Sequence, residues 1–327
     1  MTLSAAGARR VAVTLQAATA AGIGWLLTQY AGWNWPAALL AGIAAVLAGL
    51  ALGIGLAFAM TLRGTGVARH QRPPTAPAGL ARGRFPLRPL EAVRCFANEY
   101  IAVFRMFNWL QPFCSHRRYA QPAQTFATRP MPTVLLVHGY ACNHAVWLDL
   151  QPALAASGYP CVAIDLEPVL GDLDDYADAL RRHIGQVNAR TGQPPLLVCH
   201  SMGGLVARAA LVRTGGNLCT GIVTLGTPHH GCALARFGAG RNSWQMRCGS
   251  PWLGALARTE AEVPVSRTRL VSIFSWHDSI AGPPCTSWLE GARHTALTGI
   301  GHVSLLRDPR AITAVLDALA FLRTTAP

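Results

Sequence analysis

The sequence predicts an α/β architecture, a mostly parallel central sheet with helices on both faces, preceded by a hairpin of two apolar helices. Three observations point there. From Val11 to Leu62, a run of 52 residues, there is no Asp, Glu, Lys, Arg or His. From residue 131 onward, short apolar runs alternate with amphipathic stretches, as when strands of a parallel sheet feed crossover helices. Charge divides at the same place: residues 1 to 130 carry 13 Arg against Glu91 and Glu99, while residues 131 to 327 carry 15 Arg against 13 acids. The formal net charge of +13 therefore belongs mainly to the N-terminal part. All 28 basic residues are Arg, a bias broader than any phosphate-binding patch, and no nucleic-acid partner is expected.

The N-terminal 62 residues read as a membrane hairpin. A hydrocarbon core of about 30 Å needs about 20 apolar residues as helix, so the run holds two spans, at about 11 to 30 and 37 to 61. Tyr30, Trp33 and Trp35 suit the interface between them, and Pro36 suits the first turn of the second helix. Gly49 and Gly53 have the spacing that lets two helices approach closely. Arg9 and Arg10 before an apolar stretch are also compatible with a signal peptide or a single span, but the stretch is long for either. Arg9, Arg10, Arg63, Arg69, Arg72, Arg82, Arg84 and Arg88 flank the hairpin and none lies in its turn, which places both ends, and the following domain, on the cytoplasmic side of an inner membrane. Residues 63 to 130 then hold an Arg- and Pro-rich linker able to meet anionic headgroups. They also hold a helix with a broad apolar face (Leu90, Val93, Phe96, Ala97, Tyr100, Ile101, Phe104, Phe107), which suits either packing on the following domain or lying in the membrane interface.

Residues 131 to 327 form the remaining domain. Strands are expected at Thr133 to Val137, Cys161 to Ile164, Leu196 to Cys199, Gly221 to Leu225, Leu270 to Phe274 and Thr295 to Thr298, and helices at about 172 to 189, 202 to 214 and 309 to 323. The stretch 232 to 264 breaks the alternation and is a candidate lid, with apolar residues Trp244, Met246, Trp252, Leu253 and Leu256. Nine cysteines without a C-x-x-C pair suggest neither zinc nor a disulfide scaffold. One bridge among Cys232, Cys248 and Cys285 fits only an oxidising compartment.

The motif with most chemical content is Leu196-Leu-Val-Cys-His-Ser-Met-Gly-Gly-Leu-Val-Ala-Arg208, a strand running into a helix with Ser201 at the turn. It resembles the nucleophile elbow of the α/β-hydrolase fold, with Cys199 where that pattern has Gly and with Gly203 and Gly204 after the serine. Small neighbours are needed because the serine backbone is strained to expose its hydroxyl. A serine nucleophile needs a base, and the base an orienting acid, in the order Ser, Asp, His for this fold. Asp278 follows the strand that ends in Phe274-Ser-Trp-His-Asp, and His302 follows the last strand in Gly299-Ile-Gly-His. Val137-His-Gly-Tyr140 after the first strand matches the turn that builds an oxyanion hole, from the backbone N–H groups of Tyr140 and Met202. His138, Gly139, Cys199, His200, Gly203 and Gly204 support the two turns. His138 precedes the nucleophile and is read as structural, not as the base.

Together with Thr224-Leu-Gly-Thr-Pro-His-His-Gly231, these motifs look like those of the bacterial triacylglycerol lipase and esterase group that includes lactonising lipases. The resemblance covers residues 131 to 323. It implies a Ser201–His302–Asp278 triad, an ester or lipid substrate and no cofactor, with His229 and Gly231 shaping a loop near the site and no catalytic duty for His229 or His230. The family's calcium-binding carboxylates have no match here, and no metal is expected. The same triad could serve an acyltransferase or thioesterase. A catalytically silent, membrane-bound binding protein on the same scaffold is the reading from another class.

Overall fold

A computed structural model describes residues 4–62, 86–117, 131–215, 218–263 and 269–324. Two long helices open the chain, α1 (Ala5–Ala31) and α2 (Trp35–Leu62), both long and apolar enough to cross a membrane. α1 starts earlier than expected because the Ser4 hydroxyl caps it, accepting from Gly7 N at 3.2 Å, so Arg9 and Arg10 lie inside the helix. The two helices touch where they carry small residues. A Cβ on Gly42 would stand 2.1 Å from Ala20 O, and one on Gly24 would stand 3.2 Å from Ala38 O. Gly49 and Gly53, the expected contact, have nothing within 4 Å. The face of α2 turned to α1 carries Ala38 and Gly42 instead. Of the flanking arginines, Arg63, Arg69, Arg72, Arg82 and Arg84 lie outside the described residues, as does most of the linker.

Helix α3 (Pro89–Arg105) follows and runs on through a π-helical turn, Met106–Leu110. It packs on the domain: Cys95, Glu99, Ala102, Met106 and Leu110 are buried. Leu90, Val93, Ile101, Phe104 and Trp109 stay exposed on the other side, so both expected uses of the apolar face are open to it.

Six strands form one all-parallel sheet: β1 (Val134–Val137), β2 (Cys161–Ile164), β3 (Leu196–His200), β4 (Gly221–Leu225), β5 (Leu270–Ser275) and β6 (Arg293–Leu297), in the order β2-β1-β3-β4-β5-β6. Strand alternation divides the interior into two cores. Val134, Leu136, Leu196, Val198, Val223, Val271 and Ile273 face one layer, closed by α3, α4 (Gln151–Ala156) and α9 (Pro309–Thr324). Leu135, Val137, Leu197, Cys199, Ile222 and Leu270 face the other, closed by α5 (Leu173–Thr191) and α6 (Met202–Val212). α7 (Gly240–Gln245) and α8 (Pro251–Glu262) lie between β4 and β5.

β6 begins two residues earlier than the apolar run suggested. Its polar start is carried by side-chain stacking: His294 lies flat on Trp288 at 3.7 Å, and the Arg293 guanidinium sits 4.5 Å over the Phe321 ring. The chain leaves β1 toward β2 on one side and returns to β3 on the other. The carboxyl ends of β1 and β3 therefore flank a topological switch point, where sheets of this type form a crevice.

Candidate active site

Every sequence-derived site residue falls at the carboxyl edge of this sheet. Ser201 stands between β3 and α6 with φ 54° and ψ −122°, a backbone conformation that an L-residue reaches only under strain. The fold holds it from three sides. Ser201 N donates to Leu225 O at 2.8 Å, the Thr227 hydroxyl donates to Ser201 O at 2.8 Å, and Gly204 N donates to the same oxygen at 3.1 Å. The turn is crowded enough to require its glycines. A Cβ on Gly203 would stand 2.4 Å from Val137 O, one on Gly204 would stand 2.2 Å from the Thr227 hydroxyl, and one on Gly139 would stand 2.9 Å from Ser201 Cβ. Cys199 is accommodated where the motif usually has Gly because its side chain points into the second core, fully buried. Burial pushes its thiol well above the ordinary value, so it is inert.

His302 and Asp278 meet across the ends of β5 and β6. His302 Nδ1 lies 2.8 Å from Asp278 Oδ2, and the other carboxylate oxygen accepts from Ile280 N at 2.8 Å and Ala281 N at 2.6 Å. Both residues are buried. Burial opposes a charge on His302, but the Asp278 charge and hydrogen bond, with a further contribution from Glu99, outweigh it and raise the imidazole pKa above 6.5. His200, next to the serine, ties the two halves together. Its ring centroid is 4.6 Å from that of His302, and its Nε2 lies 3.3 Å from His302 O. Burial, then the nearby His302, holds His200 neutral, well below its ordinary pKa.

His138 behaves as a structural residue. Its Nδ1 lies 2.9 Å from Gly139 O, and its Nε2 accepts from Leu166 N at 2.9 Å. Both ring nitrogens are thus engaged, and burial lowers its pKa. The N–H groups of Tyr140 and Met202 have no hydrogen-bond acceptor among the described residues. Met202 N also opens α6, where the helix dipole favours negative charge. Ala141, the residue after Tyr140, is the other non-glycine at positive φ (53°) among the described residues, so both turns facing the site are strained.

Several contributors escaped the sequence reading. Thr227 was seen only as part of a motif, yet it braces the serine turn. Tyr140 also acts through its side chain: its hydroxyl donates to Ala239 O at 2.7 Å and accepts from Ala239 N at 3.0 Å, bridging the turn to the 232–264 segment. In that segment Met246, Leu253 and Leu256, among the apolar residues of the candidate lid, are buried in the second core, while Phe237 and Trp244 are exposed. The three had spacings that serve a core contact equally well. Among the described residues, which include all nine cysteines, no disulfide is formed, and the Cys232 thiol donates to Ile280 O at 3.0 Å. Among the described residues no three His, Cys, Asp or Glu side chains converge as a metal site.

Residues 134–325 match the alpha/beta hydrolase family. The chain belongs to that family. The match begins at β1 and leaves α1, α2 and α3 outside it. The chain is similar to a triacylglycerol lipase of Burkholderia plantarii, 31% identical over 127 residues, and to one of Pseudarthrobacter phenanthrenivorans, 31% identical over 124 residues. These matches take in 36% and 35% of this chain and only 35% and 38% of the relatives, so the chain spans little more than a third of the curated relatives it matches. Among solved structures, the mature lipase of Bacillus licheniformis superposes with a TM-score of 0.53 at 18% identity, over 62% of this chain and 96% of that one, a likeness of fold.

Proposed function

We propose that this protein is a membrane-anchored serine hydrolase that cleaves carboxylic esters of an acyl chain by way of an acyl-enzyme. The observation that carries the reading is the buried His302–Asp278 pair, 2.8 Å apart, at the same sheet edge as the strained Ser201. Asp278 holds Nδ1, leaving Nε2 of His302 to take the proton of the Ser201 hydroxyl as its oxygen attacks the ester carbonyl. The tetrahedral oxyanion is met by the N–H groups of Tyr140 and Met202, of which one such donor is worth about 3 kcal/mol. His302 then passes the proton to the leaving alcohol, and a water activated by the same imidazole releases the acid.

An acyl-ester substrate is supported by the similarity to triacylglycerol lipases and by the exposed Phe237 and Trp244 of the 232–264 segment, which we read as a lid. The two apolar helices support anchoring, with the exposed face of α3 resting in the interface and the hydrolase on the cytoplasmic side. The test is labelling of the full chain by a fluorophosphonate probe, alongside hydrolysis of p-nitrophenyl esters of increasing acyl length. Ser201→Ala is expected to abolish both, and a mutant that still labels would remove Ser201 from the mechanism. Anchoring predicts that the protein stays in the membrane pellet on alkaline carbonate washing. A reporter fused after Pro327 should be active in the cytoplasm, and one active only outside would reverse the orientation.

A further inference from the structure

Glu99 lies in α3, outside the region matched to the hydrolase family, and is 0% exposed. Its carboxylate receives four hydrogen bonds. Ser279 Oγ donates to Oε1 at 2.6 Å and Val303 N to the same oxygen at 3.0 Å, while Ser304 N and Ser304 Oγ donate to Oε2 at 2.9 and 2.8 Å. Every donor lies within two residues of Asp278 or His302. Ser279 Oγ in turn accepts from His302 N at 3.3 Å. The carboxylate also fills the space that Gly301 leaves, where a Cβ would stand 2.3 Å from Oε2. Among the described residues no cation pairs with Glu99. A buried carboxylate held only by neutral donors is a costly way to pack a helix, and its charge acts on whatever titrates nearby.

We infer that Glu99 is a positioning residue of the active site, locking the loop that carries His302 to the turn that carries Asp278 and setting a second negative charge behind the imidazole. The inference rests on the triad proposed above. The groups facing His302 are Asp278 from the β5 turn, neutral His200 from β3 and Glu99 from α3. One turn before Glu99 on α3 lies Cys95, whose thiol is pushed up to about 12 by burial and then by Glu99, with Arg310 opposing and Asp278 and Asp308 adding to the shift. Cys95 is therefore uncharged at working pH and leaves Glu99 as the α3 charge that acts on His302.

The same helix is braced by the hairpin. The Tyr100 hydroxyl donates to Leu47 O at 3.3 Å, and the Phe96 ring meets Phe58 at 6.4 Å. Thr61, near the end of α2, lies against Gly282 four residues beyond Asp278, where a Cβ would come within 2.5 Å of it. The anchor thus buttresses both loops that hold the imidazole and its acid.

The experiment measures kcat and KM of the full chain in detergent across pH, for wild type, Glu99→Gln and Ser279→Ala, with fluorophosphonate labelling alongside. Gln removes the charge and meets donors with an amide. Glu99→Gln should lower kcat on the order of 10- to 100-fold with little change in KM. It should also move the acid limb of kcat/KM to lower pH by roughly half a unit or more, because the imidazolium loses a stabilising charge. Ser279→Ala keeps the charge and cuts the link to His302 N, so kcat should fall while the limb stays. A Glu99→Gln protein that melts like wild type, with kcat within twofold and the limb unmoved, would overturn the inference. If Glu99→Gln does not fold, unchanged kcat in Ser279→Ala overturns it alone. Wild type that neither labels nor hydrolyses esters overturns the triad reading itself, a result distinct from either.

Discussion

His302 Nδ1 and Asp278 Oδ2 stand 2.8 Å apart, with the imidazole 3% exposed and the carboxylate residue 1% exposed. Two backbone N–H groups hold the other carboxylate oxygen, so the acid cannot swing away without leaving them unpaired in the interior. Asp278→Asn keeps the size of the side chain but turns an acceptor into a donor and disfavours the tautomer with hydrogen on Nδ1. The expected outcome is a kcat lower by a factor on the order of 10⁴, with KM little changed. Ester hydrolysis by the purified full chain measures it, and a loss under tenfold would mean that Asp278 does not orient the base.

If His302 is the base, as proposed, its raised pKa sets where activity switches on. In the proposed mechanism only the neutral imidazole accepts the serine proton, so the acid limb of kcat/KM should lie above the ordinary 6.5. The stability contribution has the matching sign: the folded His302 binds its proton more tightly than the unfolded chain, so its stabilisation is complete below 6.5 and is lost as pH rises through the folded value. His200 and His138 have depressed values and act the other way. Their contribution is present above 6.5 and is lost as pH falls toward their folded values. Melting temperature followed from neutral toward acid should fall below 6.5, and a flat curve there would contradict the buried neutral state of both.

Gly203 is required by backbone, which cannot move aside as a side chain can. A methyl group there would meet Val137 O at 2.4 Å and His138 O at 2.8 Å, both where β1 runs into the His138–Tyr140 turn. Gly203→Ala should therefore destabilise the fold by about 1–3 kcal/mol and separate the two turns. The loss of fluorophosphonate labelling should exceed what the lowered melting temperature explains, since misplacing a donor by about 1 Å can cost about 100-fold. Labelling at the wild-type rate would show that the turn has slack that these contacts deny.

The sheet and the three polar residues at its edge were legible because each is announced locally: an apolar run of four to six residues, then a turn with a serine, an aspartate or a histidine. Contacts made by a helix outside that alternation were not. Glu99 reads in the sequence as a polar break in a helical apolar face, and nothing near it says that its partners lie about 200 residues away. Thr227 was hidden for the same reason, since its partner Ser201 is 26 residues earlier, in the turn after another strand. Gly49 and Gly53 show the opposite failure. Spacing alone identified a close-approach motif, whereas the contact depends on which face of α2 the rest of the molecule turns toward α1.

Arg208 and Glu260 form a buried fork: Nε donates to Oε1 at 2.8 Å and Nη2 to Oε2 at 2.6 Å, with side chains only 4% and 3% exposed. Arg208 lies on α6, two turns after the serine, and its Nη1 also donates to His229 O at 2.8 Å. Glu260 lies on α8, so the pair ties the 232–264 segment to the helix that Ser201 opens. Arg208→Met takes the bidentate guanidinium away from a buried carboxylate and should cost about 3–5 kcal/mol. Replacing both, as Arg208→Met with Glu260→Leu, removes the buried carboxylate as well and should recover most of that loss, because well-packed apolar residues often substitute for a buried pair without penalty. Chemical denaturation of the two variants separates the cases. If the double variant were as unstable as the single one, the Arg208 bond to His229 O, not the ion pair, would be what holds α6 to its surroundings.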